Sequence, residues 1–165
     1  MVRQKEAKNT ALFTSVIIIL MSLIYVPDWT MVGIATDSPL AARFVYPFFH
    51  ASSLHALINA WCLICIVFLY DVSIWKLIIG YIVAIMVPEC LISETPTVGL
   101  SCICYFLLGS LIFEVRRKLY FIICIALYIS LGFLFPSVNA LIHIYGFIAG
   151  IIIGFLNAPL SCFRK

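Results

Sequence analysis

The stretch Val138-Asn139-Ala140-Leu141-Ile142-His143-Ile144-Tyr145-Gly146-Phe147-Ile148-Ala149-Gly150-Ile151-Ile152-Ile153-Gly154-Phe155-Leu156 decides how the chain is read. Its length suits the roughly 20 apolar residues that a helix needs to cross a bilayer core of about 30 Å. One side chain that ionises near neutral pH, His143, lies inside it. Such groups are costly in a membrane span and mark functional-site candidates by default. Gly146, Gly150 and Gly154 fall near one helical face with His143. Small residues at four-residue spacing let two membrane helices approach closely. His143 is therefore predicted on the face that packs tightest against a partner helix.

The composition around this stretch agrees with a lipid solvent. The chain has 165 residues, of which 65% are hydrophobic and 10% charged, with a mean hydropathy of +1.20. A soluble domain is about 45–50% apolar and about a quarter charged, and a small globule cannot hide so much apolar surface. A soluble enzyme, a disordered tail and a nucleic-acid module are excluded, and a net charge of +3 is too small to call for a polyanion partner. The seven cysteines are an odd number, mostly on apolar segments, which argues against a disulfide framework. Cys62, Cys65, Cys102 and Cys104 read as small core residues; Cys90 alone falls in a polar loop.

Six apolar segments follow one another at residues 10–26, 51–70, 72–87, 98–113, 119–135 and 138–156. The first follows Arg3, Lys5 and Lys8 without a small-residue cleavage site after it, and reads as a retained helix. With a cytoplasmic N-terminus, Arg3, Lys5, Lys8, Lys76, Arg116, Arg117, Lys118, Arg164 and Lys165 gather inside, leaving only Arg43 outside. The positive-inside rule favours that orientation. The expectation is an all-α membrane protein of six transmembrane helices, a single domain over 1–165, with both termini cytoplasmic. The connection 27–50 is then a long external loop, whose Trp29, Phe44, Tyr46, Phe48 and Phe49 suit the membrane interface. A loop of this length is more often functional than idle.

The remaining polar groups converge in depth. Ser101 is three residues into the fourth segment and His143 five into the sixth, or about 4–5 Å and roughly 7–8 Å at the helical rise. Both segments enter from the outer side. His55 and Asn59 share one helical face in the outer half of the second segment. Taken singly, a membrane Ser ordinarily bonds to its own backbone or a neighbouring helix, and a lone His more often bridges helices than catalyses. The glycine face alters the balance, because the partner expected for the His143 helix carries Ser101, with Tyr105 one turn below. A hydroxyl beside an imidazole is the minimal activated nucleophile. No carboxylate is placed to complete a triad: Asp28, Asp37, Glu89 and Glu94 lie in outer loops, Asp71 and Glu114 at cytoplasmic ends. His55 and Asn59 are candidate donors to a developing oxyanion.

These motifs resemble the rhomboid family of intramembrane serine proteases, in its compact six-helix bacterial form. His50-Ala51-Ser52-Ser53-Leu54-His55-Ala56-Leu57-Ile58-Asn59 is similar to that family's HxxxxHxxxN signature, and Gly99-Leu100-Ser101 to its GxS nucleophile motif. His143-Ile144-Tyr145-Gly146 with Gly150 and Gly154 resembles its sixth helix. The resemblance implies Ser101 as nucleophile and His143 as general base. His55, Asn59 and the Ser101 N–H would stabilise the oxyanion, His50 would brace the external loop, and Tyr105 would pack on the His143 ring. It also implies hydrolysis of other proteins' transmembrane segments near their outer ends, in a multi-pass protein of the bacterial inner membrane with its site toward the outer face. The implied partners are those substrates and the lipid bilayer, with no nucleic acid, no metal and no cofactor; the oligomeric state is left open. The sequence departs from the family at Cys102, where a second motif glycine is usual, and at Ala42-Arg43, where the first loop usually carries Trp-Arg. Two other readings compete. One is a catalytically inactive relative that binds or escorts membrane clients, although such relatives usually lose the Ser or the His. The other is a small transporter, which would string ionisable groups along a path rather than at one depth.

Overall fold

The computed structural model describes residues 2–135 and 138–157, with side chains from Gln4 onward. Readings that rest on the Arg3 side chain, Pro136, Cys162, Arg164 and Lys165 fall outside the described residues. The described chain forms seven α-helices: α1 (Val2–Met21), α2 (Ala42–Val45), α3 (Ser53–Leu69), α4 (Ile74–Ile85), α5 (Ser101–Ser110), α6 (Lys118–Gly132) and α7 (Ala140–Asn157). Short 3-10 turns occupy Trp29–Met31, Tyr46–Phe48 and Glu89–Leu91. The one β feature among the described residues is an isolated bridge between Ile34 and Thr97.

Each of the six apolar segments holds a helix; five of the helices are shorter than their segments, whereas α1 starts at Val2, ahead of the first segment, and stops at Met21, short of its end. Local chemistry sets several ends. Ser52 opens α3 by accepting from His55 N at 3.2 Å, a cap worth about 1 kcal/mol. Pro88 follows α4 and bars its continuation. Gly99 holds φ +124°, so α5 starts at Ser101 and not at Val98, as the hydropathy suggests. Asn139 opens α7 by accepting from Ile142 N at 3.3 Å. By length and apolarity, α7 is the one helix among the described residues able to cross a membrane unaided; Ala42–Phe48 and Ser53–Leu69 pass together but meet at 85°. With 12, 10 and 15 residues, α4, α5 and α6 are shorter than a span expected from the sequence.

Helix α5 is the hub. Cys102, Ile103, Cys104, Phe106, Leu107, Gly109 and Ser110 are all buried, and only the face carrying Ser101, Tyr105 and Leu108 is left half-buried, opening on a cavity. Its broadest contact is with α7; α1 lies mainly on α3, and α6 chiefly on α7. Glycines make the α5–α7 seam possible. A Cβ on Gly146 would stand 2.6 Å from the Cys102 carbonyl oxygen, and one on Gly154 2.7 Å from that of Ser110. A Cβ on Gly150 would run into the Phe106 carbonyl, and one on Gly109 into that of Phe147. Main chain meets main chain here.

The molecule is apolar outside and polar at selected points inside. Trp61, Leu69 and Leu119 are more than 70% exposed, whereas His50, Asn59, Ser15 and Ser110 are buried. Water would make such a surface a liability. The connection 27–50 is less of an interface segment than its aromatic content suggests. Tyr46 is 1% exposed and donates to Ala84 O at 3.0 Å. Arg43 donates to Val87 O at 2.6 Å, and Tyr81 donates to Phe44 O at 2.8 Å. The loop is pinned to the end of α4 by Arg43 and Tyr46, which donate to carbonyls in and just past its last turn, and by Tyr81 of α4, which donates back to the loop.

Candidate active site

The site begins with one backbone conformation. The left-handed φ of Gly99 suits a residue without Cβ, and the space beside it is taken as well: a Cβ there would lie 3.0 Å from His55 Cε1 and 3.2 Å from His55 Nε2. The His55 ring therefore rests on Gly99. Leu100 N donates to His50 Nε2 at 3.3 Å, which ties the turn to the segment before α3. His50 is buried, and its ring meets that of His55 edge-on at 4.9 Å. His50 thus braces the turn that presents Ser101.

Ser101 is the first residue of α5. The first-turn N–H groups of a helix have no intrahelical partner, and the local dipole favours negative charge. His143 Nε2 lies 2.9 Å from Ser101 Oγ. The Tyr105 ring stacks on the His143 ring with centroids 4.4 Å apart and planes 24° from parallel. With Nε2 accepting the serine hydroxyl, the imidazole proton resides on Nδ1, which is buried and has no hydrogen-bond partner among the described residues. Stacking and the glycine seam, not a carboxylate, hold the ring in place.

Asn59 is buried, and its Nδ2 donates to His55 O at 3.0 Å within its own helix. That bond uses one of the two N–H groups of the amide. Ser101, His143, His55 and Asn59 all line one cavity of about 540 Å³, which continues past Trp61, Cys62 and Tyr128 between α3 and α6. The structure thus brings together Ser101, His143, Tyr105, His55, His50 and Gly99, sets Gly146 and Gly150 in the seam behind them, and keeps Asn59 buried in the wall of the same cavity.

Asn139 is absent from the sequence-derived set. Besides opening α7, it donates to Leu91 O at 3.0 Å and reaches Thr97 Oγ1 at 3.5 Å. It ties the start of the His143 helix to the segment leading into Ser101. An Asn directly before an apolar run carries an N-cap signal; its long-range tie has no local signature. Cys102 is buried with its sulfur facing Gly146, and the six described cysteines are free thiols. No cluster of His, Cys, Asp and Glu among the described residues has the makings of a metal site.

No curated protein and no solved structure gives a significant match to the chain. Residues 39–159, most of its length and all of the site just described, match the family model of the Rhomboid domain. That family is membrane-embedded, which accounts for the apolar exterior, and the chain belongs to the rhomboid family.

Proposed function

We propose that this chain is an intramembrane serine endopeptidase, cutting other membrane proteins in or near their transmembrane segments through a Ser101–His143 dyad. The observation that carries the reading is the 2.9 Å contact between His143 Nε2 and Ser101 Oγ. In the first step, Ser101 Oγ attacks the scissile carbonyl carbon while His143 Nε2 takes the hydroxyl proton. The same nitrogen then gives that proton to the leaving amine as the peptide C–N bond breaks. Water, deprotonated by His143, then attacks the acyl carbon; the bond from that carbon to Ser101 Oγ breaks, and His143 Nε2 returns the proton to Oγ. The negative oxygen of each tetrahedral intermediate meets the Ser101 N–H at the start of α5, with His55 and Asn59 as side-chain donors. Inactive relatives usually lack the Ser or the His, and both are in place.

The same reading takes the six helix-bearing segments as six crossings. A 10-residue helix suffices at the centre because α5 and its leading turn are buried in protein on most faces and line a cavity on the remaining one, where irregular backbone is tolerated at membrane depth. Both termini then lie in the cytoplasm and the dyad toward the outer face, as the cationic residues require, in a bacterial inner membrane.

Labelling with a fluorophosphonate tests the dyad without knowledge of the substrate. The wild-type protein should label at Ser101, and Ser101→Ala and His143→Ala should not, with melting temperatures close to wild type. A folded wild-type protein that resists labelling would mark the chain as a client-binding member of its family and sink the protease reading.

A further inference from the structure

At the end of the molecule opposite the dyad, a second cavity of about 400 Å³ lies where the α5–α6 connection meets the end of α3. It is lined by Arg116 and Arg117 together with Tyr70, Tyr120, Phe121 and Cys124. Glu114 also borders it, but that carboxylate is paired with Lys76. Neither arginine makes an ion pair or a side-chain hydrogen bond among the described residues. The cavity also sits at the start of α6, a 15-residue helix with no acidic residue in its first turn and no side-chain cap. Its first N–H groups are therefore left to an outside acceptor.

We infer that this cavity binds an anionic phospholipid, with the phosphate held by Arg116, Arg117 and the start of α6, and the upper acyl chain on Tyr70, Phe121 and Cys124. Charge and shape argue together for this occupant. Guanidinium groups match phosphate oxygens in bidentate fashion, and the two free arginines provide positive charge that the protein does not itself neutralise. A soluble phosphate would leave the aromatic wall uncovered; a lipid covers both parts. The outer face of α6 is apolar, with Leu119 72% exposed, so a lipid reaches the site without leaving the bilayer.

The placement has a further consequence. Tyr70 lines this cavity and also the dyad cavity, and its ring meets Phe121 edge-on at 6.4 Å. The bound lipid thus rests against the aromatic pair that separates the two spaces.

The test is lipid binding by the full-length protein, read by native mass spectrometry and by melting temperature in mixed micelles with phosphatidylglycerol or chain-matched phosphatidylcholine. The wild type should retain phosphatidylglycerol in preference and melt higher with it. The double variant Arg116→Ala/Arg117→Ala should lose roughly five-fold in affinity per arginine, or ~30-fold in all. Lys5→Ala/Lys8→Ala removes the same charge from α1, which contributes no residue to the cavity lining, and should bind as wild type. Cys124→Trp, which fills the wall without altering charge, should also weaken binding. Equal loss in both charge variants would reduce the effect to diffuse surface attraction and overturn the site. Unchanged binding in a folded Cys124→Trp protein would overturn it too. Should that variant fail to fold, competition decides: inorganic phosphate at matched concentration should not displace the lipid, and full displacement would overturn the phospholipid assignment. None of these readouts depends on proteolysis.

Discussion

Asn59 and His55 occupy one helical face yet are held differently, and that separates what their removal should do. Asn59 spends its amide on a carbonyl one turn back in its own helix, so little tertiary structure depends on it. That bond occupies one of the two amide N–H groups, and the second is the one that would serve the oxyanion when substrate arrives. Asn59→Ala is expected to lower kcat on the order of 10²–10³-fold, with a melting temperature near wild type. A large stability loss with near-normal kcat per folded molecule would instead make Asn59 a structural residue. His55 packs on Gly99 and against His50, so His55→Ala should reduce both kcat and melting temperature. Gly99→Ala is the severest change of this group. It combines a left-handed φ of +124° with a contact at 3.0 Å. A strained backbone position of this kind costs about 1–3 kcal/mol. Denaturant melts should show that loss, and fluorophosphonate labelling should fall with it.

Between helices, the dyad depends on how α7 is aimed and how closely it lies against α5. Asn139 does part of the aiming. Asn139→Ala removes the cap as well as the tie to Leu91, and should cost about 1 kcal/mol or more. Asn139→Asp keeps an acceptor for Ile142 N but loses the donor to Leu91 O, so it should recover stability ahead of labelling rate. Equal recovery of both would show that the cap alone matters. The helices themselves were legible because hydropathy is a local signal, and the adjacency of Ser101 and His143 because a glycine stripe announces a close contact. Helix ends were less so. The start of α5 depends on a backbone angle at Gly99 that fits under the His55 ring, and no run of apolar residues encodes that. The burial of Tyr46 and the docking of Arg43 were equally hidden, since their partners are carbonyls about 40 residues away. The resting orientation of the Asn59 amide is a rotamer choice that spacing does not reveal.

Across the whole molecule, orientation is open to a direct measurement. Cys90 is the exposed cysteine among the described residues, next to Leu91, to which the start of the His143 helix is tied. With the dyad toward the outer face, a membrane-impermeant maleimide should label Cys90 in intact cells, and Cys90→Ser should abolish that signal. Labelling only after permeabilisation would reverse the topology. The Lys76–Glu114 pair lies at the other end, so a cysteine introduced at Arg116 should show the opposite accessibility. The contacts around the glycines also bear on genetics. At Gly80 a Cβ would come 2.8 Å from the edge of the Phe106 ring, and a ring can be trimmed. Loss of function from Gly80→Ala should therefore yield second-site revertants, with smaller residues at Phe106 foremost. At Gly150 the obstacle is the main-chain oxygen of Phe106, which no substitution removes. A suppressor screen of Gly150→Ala should return true reversion almost alone, making this seam one that the chain can keep or lose but not renegotiate.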